Sequence, residues 1–205
     1  MNKIKLISVD FQKDFSSVDG KAYESRPCID FIKQTLIPFL RENNIKVAEI
    51  ISDYRAPRSG TTRVCLPGES GFESEIPEDV KFEDIWIKSM NSPLWTRDNR
   101  GIADKDPGIP YQDSEGFRVW LTNNIGSPDD EHDIVLFGLT LDCCVLSTAQ
   151  ELKWRGYNVF VLEEGVDSFS GDKKEKEWIL NHVPLKNWAK VIKWEELKSR
   201  LLNDN

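Results

Sequence analysis

A three-layer α/β fold on a mostly parallel sheet of about six strands is predicted by three observations. Six short apolar runs recur along the chain, most of them rich in β-branched residues. The stretches between most of them are long enough for the crossovers that parallel strands need. The runs are near-continuous rather than alternating, as strands covered on both faces require.

The elements follow in order. Residues 3–9 (KIKLISV) read as the first buried strand, and 45–51 (IKVAEII) as the second. Between them Ile29, Ile32, Leu36 and Leu40 share one face, so 29–42 is predicted helical. Pro38 lies inside that stretch and predicts a kink or an early stop. Residues 84–88 (DIWIK), 133–137 (DIVLF) and 157–162 (YNVFVL) supply three more strands, and 190–193 (KVIK) a weaker sixth. A second helix is expected over 144–155, where Val145, Thr148, Ala149 and Leu152 share a face. The charged amphipathic stretch 195–202 reads as a packed terminal helix. Two segments break the spacing and are read as loops. Residues 53–79 carry prolines at 57, 67 and 77 and glycines at 60, 68 and 71. Residues 96–116 are polar and rich in Asp, Gly and Pro. Loops of such length inside a compact domain are usually functional or disordered. One domain over 1–205 is expected.

Composition bounds the function. With 205 residues, 39% hydrophobic and 10% aromatic, the chain can build one real core. Lys plus Arg total 27 and Asp plus Glu 35, a net charge of −8. That balance argues against nucleic acid or an anionic membrane as a partner, since both reward clustered positive charge. No apolar run approaches the roughly 20 residues of a spanning helix. The opening MNKIKLISVDF places an acid in the apolar run, so no signal peptide is expected. Four cysteines, two of them adjacent, do not form a secreted disulfide framework. A cytoplasmic protein with free thiols is expected.

In open parallel sheets ligands sit outside the carboxyl ends of the strands. Asp10 follows the first strand, Lys88 closes the third, and Cys144 comes just after the fourth. A thiol at a helix start beside a lysine cation is expected to favour the thiolate. A carboxylate beside both could take the thiol proton and later return it to a leaving group. The two histidines, His132 and His182, lie in polar surroundings and read as surface residues. Each residue alone has a bland reading: Asp10 as a cap, Lys88 as a surface lysine, a cysteine as a small hydrophobe. Cys28, Cys65 and Cys143 are read in that last way. The coincidence of three reactive groups at three strand ends favours chemistry.

The runs SVDFQKDF, IKSMNSPLW and GLTLDCCVLSTAQEL resemble the isochorismatase-like cysteine hydrolases, which include nicotinamidases and N-carbamoylsarcosine amidases. Asp10, Gln12 and Phe15 match an Asp-x-Gln-x-x-Phe start, and Lys88 and Ser92 the lysine segment. Gly138, Asp142, Cys144, Val145, Thr148 and Ala149 match the nucleophile segment, and PGESGFE at 67–73 resembles a Gly-x-x-Gly loop with its trailing acid. The likeness spans nearly the whole chain. It implies the isochorismatase-like hydrolase fold and a catalytic triad of Asp10, Lys88 and Cys144. It also implies a cis peptide between Leu139 and Thr140, and an oxyanion hole from the N–H groups of Thr140 and Cys144. The activity implied is hydrolysis of a C–N bond in a small amide or carbamoyl compound, through a thioester-type intermediate. Relatives assemble as dimers or larger, so a homo-oligomer is expected.

Departures from the resemblance carry information too. Nicotinamidases of the family bind a metal through an Asp-x-His pair and further histidines. Here the stretch reads Asp53-Tyr54-Arg55, and Val64 precedes Cys65. One carboxylate without imidazole is a poor zinc site, so no metal and no cofactor are expected. A nicotinamidase-type deamidase and a non-catalytic binding or regulatory member are the alternatives. Cys143 is expected to pack on the back of its helix. Arg55 is expected to face the site and hold a substrate carboxylate, against a plain pairing with a nearby acid such as Glu69 or Glu73. Phe15 and Trp95 would wall the apolar side.

Overall fold

Strand β1 (Lys3–Val9) is apolar on both faces, and its two sides feed two different cores. Leu6 joins one buried cluster, while Ile7 and Val9 join the other. Such a strand belongs in the middle of a sheet, and there it lies. The structure, a computed structural model, describes residues 2–58, 63–128, 130 and 132–203. The 59–62 portion of the first expected loop, with Gly60, falls outside the described residues. Beside β1 the sheet comprises β2 (Ala48–Ser52), β3 (Trp86–Lys88), β6 (His132–Leu139), β7 (Asn158–Asp167) and β8 (Lys190–Ile192). The order is β3-β2-β1-β6-β7-β8, and every pairing is parallel. A separate antiparallel pair, β4 (Trp95–Thr96) with β5 (Tyr111–Gln112), lies inside the segment expected to be loop.

Register brings the carboxyl ends together. Val9 stands opposite both Ile50 and Gly138, and Ser52 stands opposite Lys88. Gly138 has φ +117, and a Cβ there would sit 2.1 Å from the Val9 carbonyl oxygen. Only glycine allows β6 and β1 to approach so closely at the edge where the strands' carboxyl ends meet.

Helices cover both faces. After the short α1 (Lys13–Ser16), α2 (Pro27–Phe31), a π turn (Ile32–Leu36) and α3 (Ile37–Glu42) form one unbroken helical stretch. Of the kink or early stop expected at Pro38, the stop does not occur. The Ile37 N–H bonds the Ile32 carbonyl five residues back, so the helix widens just before the residue that has no N–H to give. This stretch and α8 (Trp194–Asn203) pack on one face, where Trp194 meets Phe31 and Phe39 edge-on at 5.6 and 5.1 Å.

The other face is covered by α4 (Ser114–Ile125), α5 (Leu146–Trp154), α6 (Lys173–Asn181) and α7 (Leu185–Trp188). Helix α4 was not expected; it starts within the segment read as loop. Asp113 caps it by accepting from the Gly116 N–H, and Phe117, Trp120, Leu121 and Ile125 are buried. The result is three layers around a parallel sheet. Strand β7 runs beyond the expected 157–162 to Asp167, because Glu163 and Glu164 interrupt the apolar run without ending the strand. Among the described residues no helix is long and apolar enough to cross a membrane.

Candidate active site

The site is built from three strand ends. Asp10 follows β1 in a left-handed conformation, φ +49, and is fully buried, with its N–H on the Ile50 carbonyl at 2.8 Å. Two residues on, Gln12 ties this turn to the next strand. Its side chain donates to the Ser52 and Phe72 carbonyls at 3.0 and 2.8 Å and accepts from the Ser52 N–H at 2.8 Å. Gln12 is therefore a clamp between two strand ends, which explains its place in the motif.

Lys88 closes β3 with its side chain fully buried. Its Nζ lies 2.8 Å from Asp10 Oδ2, 2.8 Å from Ser52 Oγ, 2.9 Å from Tyr54 Oη, 3.1 Å from the Met90 carbonyl and 3.3 Å from Cys144 Sγ. Ser52 in turn donates to Asp10 Oδ1 at 2.9 Å. Asp10, Lys88 and Cys144, read as a set from the sequence, are thus brought together.

Cys144 sits in a π turn, Leu141–Val145, that leads into α5. The Thr140 carbonyl accepts from Cys143 and Val145, three and five residues on, and skips the Cys144 N–H. That five-residue spacing is the π register. The Leu139–Thr140 peptide is cis. The charge state differs from the expectation of a resting thiolate. Burial, then the Asp10 carboxylate, push the Cys144 thiol up to about 12, outweighing the pull of Lys88. Burial by itself would lower Lys88, but Asp10, with Cys144 and Tyr54, holds its ammonium well above the ordinary value. The ensemble at rest is a neutral thiol beside a carboxylate–ammonium pair.

Cys144 opens onto a cavity of about 170 Å³. Phe15, Val64 and Phe169 form its apolar wall, and Tyr54, Arg58, Asn91 and Thr140 its polar one. That volume is below the roughly 300 Å³ at which drug-sized pockets begin, and so fits a small substrate. A larger depression of about 470 Å³ lies along α4 and contains none of the residues expected to react. Cys143, half-buried and packed against the core of that face as expected, also lines the cavity.

Two expected substrate contacts are corrected. Arg55 is not among the cavity residues. Its guanidinium pairs with Asp53 at 2.6 Å and donates to the carbonyls of Ile102, Lys105 and Asn99 at 2.8, 3.0 and 2.7 Å. Arg55 therefore pairs with a nearby acid, which is Asp53 rather than Glu69 or Glu73. Trp95 lines a neighbouring depression instead, which meets the Cys144 cavity at Arg58. Phe15 stands where it was expected. Sequence reasoning missed Ser52, Tyr54, Arg58, Asn91 and Phe169. A signal existed for the first two: side chains alternate along an extended strand, so Ser52 and Tyr54 share one side of the β2 end.

The donor set does not suit a metal at Asp53. That carboxylate is bound by Arg55 through two nitrogens and by the Gly101 N–H at 3.0 Å. Among the described residues no three of His, Cys, Asp and Glu are grouped to hold an ion. His132 begins β6 at the opposite edge of the sheet, and His182 is exposed and stacked on Trp178.

The three-layer α/β/α arrangement is the fold of isochorismatase-like proteins. The family model for the isochorismatase domain matches residues 126–196, the stretch that holds β6, Cys144, α5 and β7. Solved structures extend the likeness along the chain. The nicotinamidase/pyrazinamidase of Bacillus subtilis is 19% identical, covering 92% of this chain and 98% of that one, with a TM-score of 0.61. The N-carbamoylsarcosine amidase of Thermoplasma acidophilum is 18% identical over 93% and 96%, with a TM-score of 0.60. The pyrazinamidase of Pyrococcus horikoshii, solved in complex with zinc, is 19% identical over 94% and 99%, also at 0.60. At such identities the likeness is one of fold. No curated protein matches the sequence.

Proposed function

We propose that the protein hydrolyses a C–N bond of a small amide or carbamoyl compound, with Cys144 as nucleophile. The observation that carries this is the convergence of Asp10, Lys88 and Cys144 on one small cavity from three strand ends. A neutral thiol needs a base at the moment of attack, and Asp10 is the carboxylate beside it. Asp10 takes the thiol proton, the sulfur adds to the carbonyl carbon, and Lys88 balances the negative charge. The oxyanion forms against the N–H groups of Thr140 and Cys144. Asp10 then protonates the departing nitrogen and activates the water that frees the enzyme. Solved relatives by fold include enzymes named for amide substrates, nicotinamide and N-carbamoylsarcosine, which supports this reaction class. The test is ammonia release across small amides, ureides and N-carbamoyl amino acids, by the wild type and by Cys144→Ala. Turnover of any of them that survives Cys144→Ala undamaged would refute the mechanism.

A further inference from the structure

We propose that Tyr54 is a further catalytic residue, whose hydroxyl donates a hydrogen bond to Cys144 Sγ and stabilises the sulfur while it carries negative charge. The role in turnover rests on the hydrolase reading above; the geometry does not. Tyr54 is buried, with Oη 3.2 Å from Sγ and 2.9 Å from Lys88 Nζ. The distance alone does not say which of oxygen and sulfur donates. Lys88 decides it. An ammonium can only donate, so the Tyr54 oxygen accepts from Lys88 and its own proton is left to point at sulfur. The chain runs Nζ–H to Oη–H to Sγ, and each bond polarises the next. Lys88 Nζ itself lies 3.3 Å from Sγ, the farthest of the five acceptors around its three N–H groups. The Arg58 guanidinium lies over the ring, 3.8 Å from its centroid. A donor fixed in place before charge develops costs no reorganisation during reaction.

Asp10 takes the thiol proton. A sulfur lone pair forms the S–C bond as the carbonyl π pair moves to oxygen. Collapse breaks C–N, and nitrogen leaves with the proton from Asp10. Water adds to the thioester carbon, giving a proton to Asp10. The S–C bond then breaks with its electron pair on sulfur, which recovers that proton. Tyr54 keeps its own proton throughout. Its bond is strong to the thiolate and weak to the neutral thioester sulfur, so it helps sulfur both to ionise and to leave. The Tyr54 bond also acts to lower the Cys144 thiol against burial and Asp10.

The test uses alkylation of Cys144 by iodoacetamide, which needs no knowledge of the substrate. A thiol raised by one pKa unit has a tenfold smaller thiolate fraction, partly offset by about threefold greater intrinsic reactivity. Tyr54→Phe keeps the ring and removes the donor, so alkylation at pH 8 is expected to slow at least threefold. Site-specific 3-fluorotyrosine at position 54 makes a stronger donor, so alkylation is expected to quicken. Opposite shifts from two near-isosteric changes are not what a space-filling ring produces. With a substrate in hand, Tyr54→Phe should cut kcat about tenfold and leave KM within twofold. If alkylation matches wild type in the Phe variant, or in the fluorotyrosine variant should the Phe variant not fold, the assignment is overturned. If wild type hydrolyses no amide, the hydrolase reading fails while the alkylation result still decides the Tyr54 bond.

Discussion

Four consecutive residues at the end of β2 serve two clusters of buried charge, and the two clusters do opposite things. Ser52 and Tyr54 face one way, to Asp10, Lys88 and Cys144. Asp53 and Arg55 face the other, to the 99–105 segment. Both clusters pair a buried carboxylate with a cation. In the second the pairing is saturated: Asp53 accepts from two guanidinium nitrogens and a backbone N–H, and Arg55 spends its remaining donors on three carbonyls. Nearby Arg97, also fully buried, donates to Ser89 Oγ and the Arg55 carbonyl at 2.8 and 2.9 Å. Nothing there is left to react. In the first cluster a neutral thiol remains at the edge of a cavity, held by donors that prefer its charged form. Buried charge as such does not mark an active site; buried charge with an unfinished partner does.

The comparison breaks most severely at the sulfur. Cys144→Ala is expected to lose at least about four orders of magnitude in amide turnover, as loss of a covalent nucleophile does. Its melting transition should stay near wild type, which circular dichroism checks. Lys88→Met should cost about three orders of magnitude in rate and also about 3–5 kcal/mol of stability, because Asp10 is left buried without its cation. Denaturant titration alongside the rate assay separates the two effects, and a variant of unchanged stability would show that water already reaches Asp10.

Arg55→Met sharpens the contrast from the other side. It strips Asp53 of its guanidinium, so a stability loss of similar size, about 3 kcal/mol, is expected. The rate per folded molecule should stay within threefold, and the preference between an acidic amide and its methyl ester should not change. A collapse of that preference would place Arg55 at the substrate after all. The smallest expected effect is none: exhaustive chelation should leave turnover intact, since the Asp53 carboxylate is already neutralised. About one metal per chain by elemental analysis would contradict the saturated reading of that cluster.

Asp10, Lys88 and Cys144 were legible because each ends or follows an apolar run, and parallel strands gather their carboxyl ends at one edge. The six strands were legible for the same reason, with ends displaced wherever polar residues such as Glu163 and Glu164 continue a strand. Helix α4 escaped notice although Phe117, Trp120, Leu121 and Ile125 carry its periodicity, since the polar tract before them reads as loop. Pro38 misled in the other direction, because a π turn one residue earlier lets the helix pass it.

The chain order alone settles run lengths, charge balance and which reactive side chains stand at strand ends, since these depend on near neighbours. What a strand-end side chain meets, and what completes its bonds, depends on residues far along the chain. Arg55 has the chemistry to grip a substrate carboxylate, yet alternation places it beside Asp53, where the 99–105 carbonyls take the rest of its donors. Tyr54, one residue earlier, has nothing in its local sequence to suggest sulfur. It meets Cys144 because the register of β2 with β3 sets Ser52 opposite Lys88, and the glycine at 138 lets β6 close in beside β1.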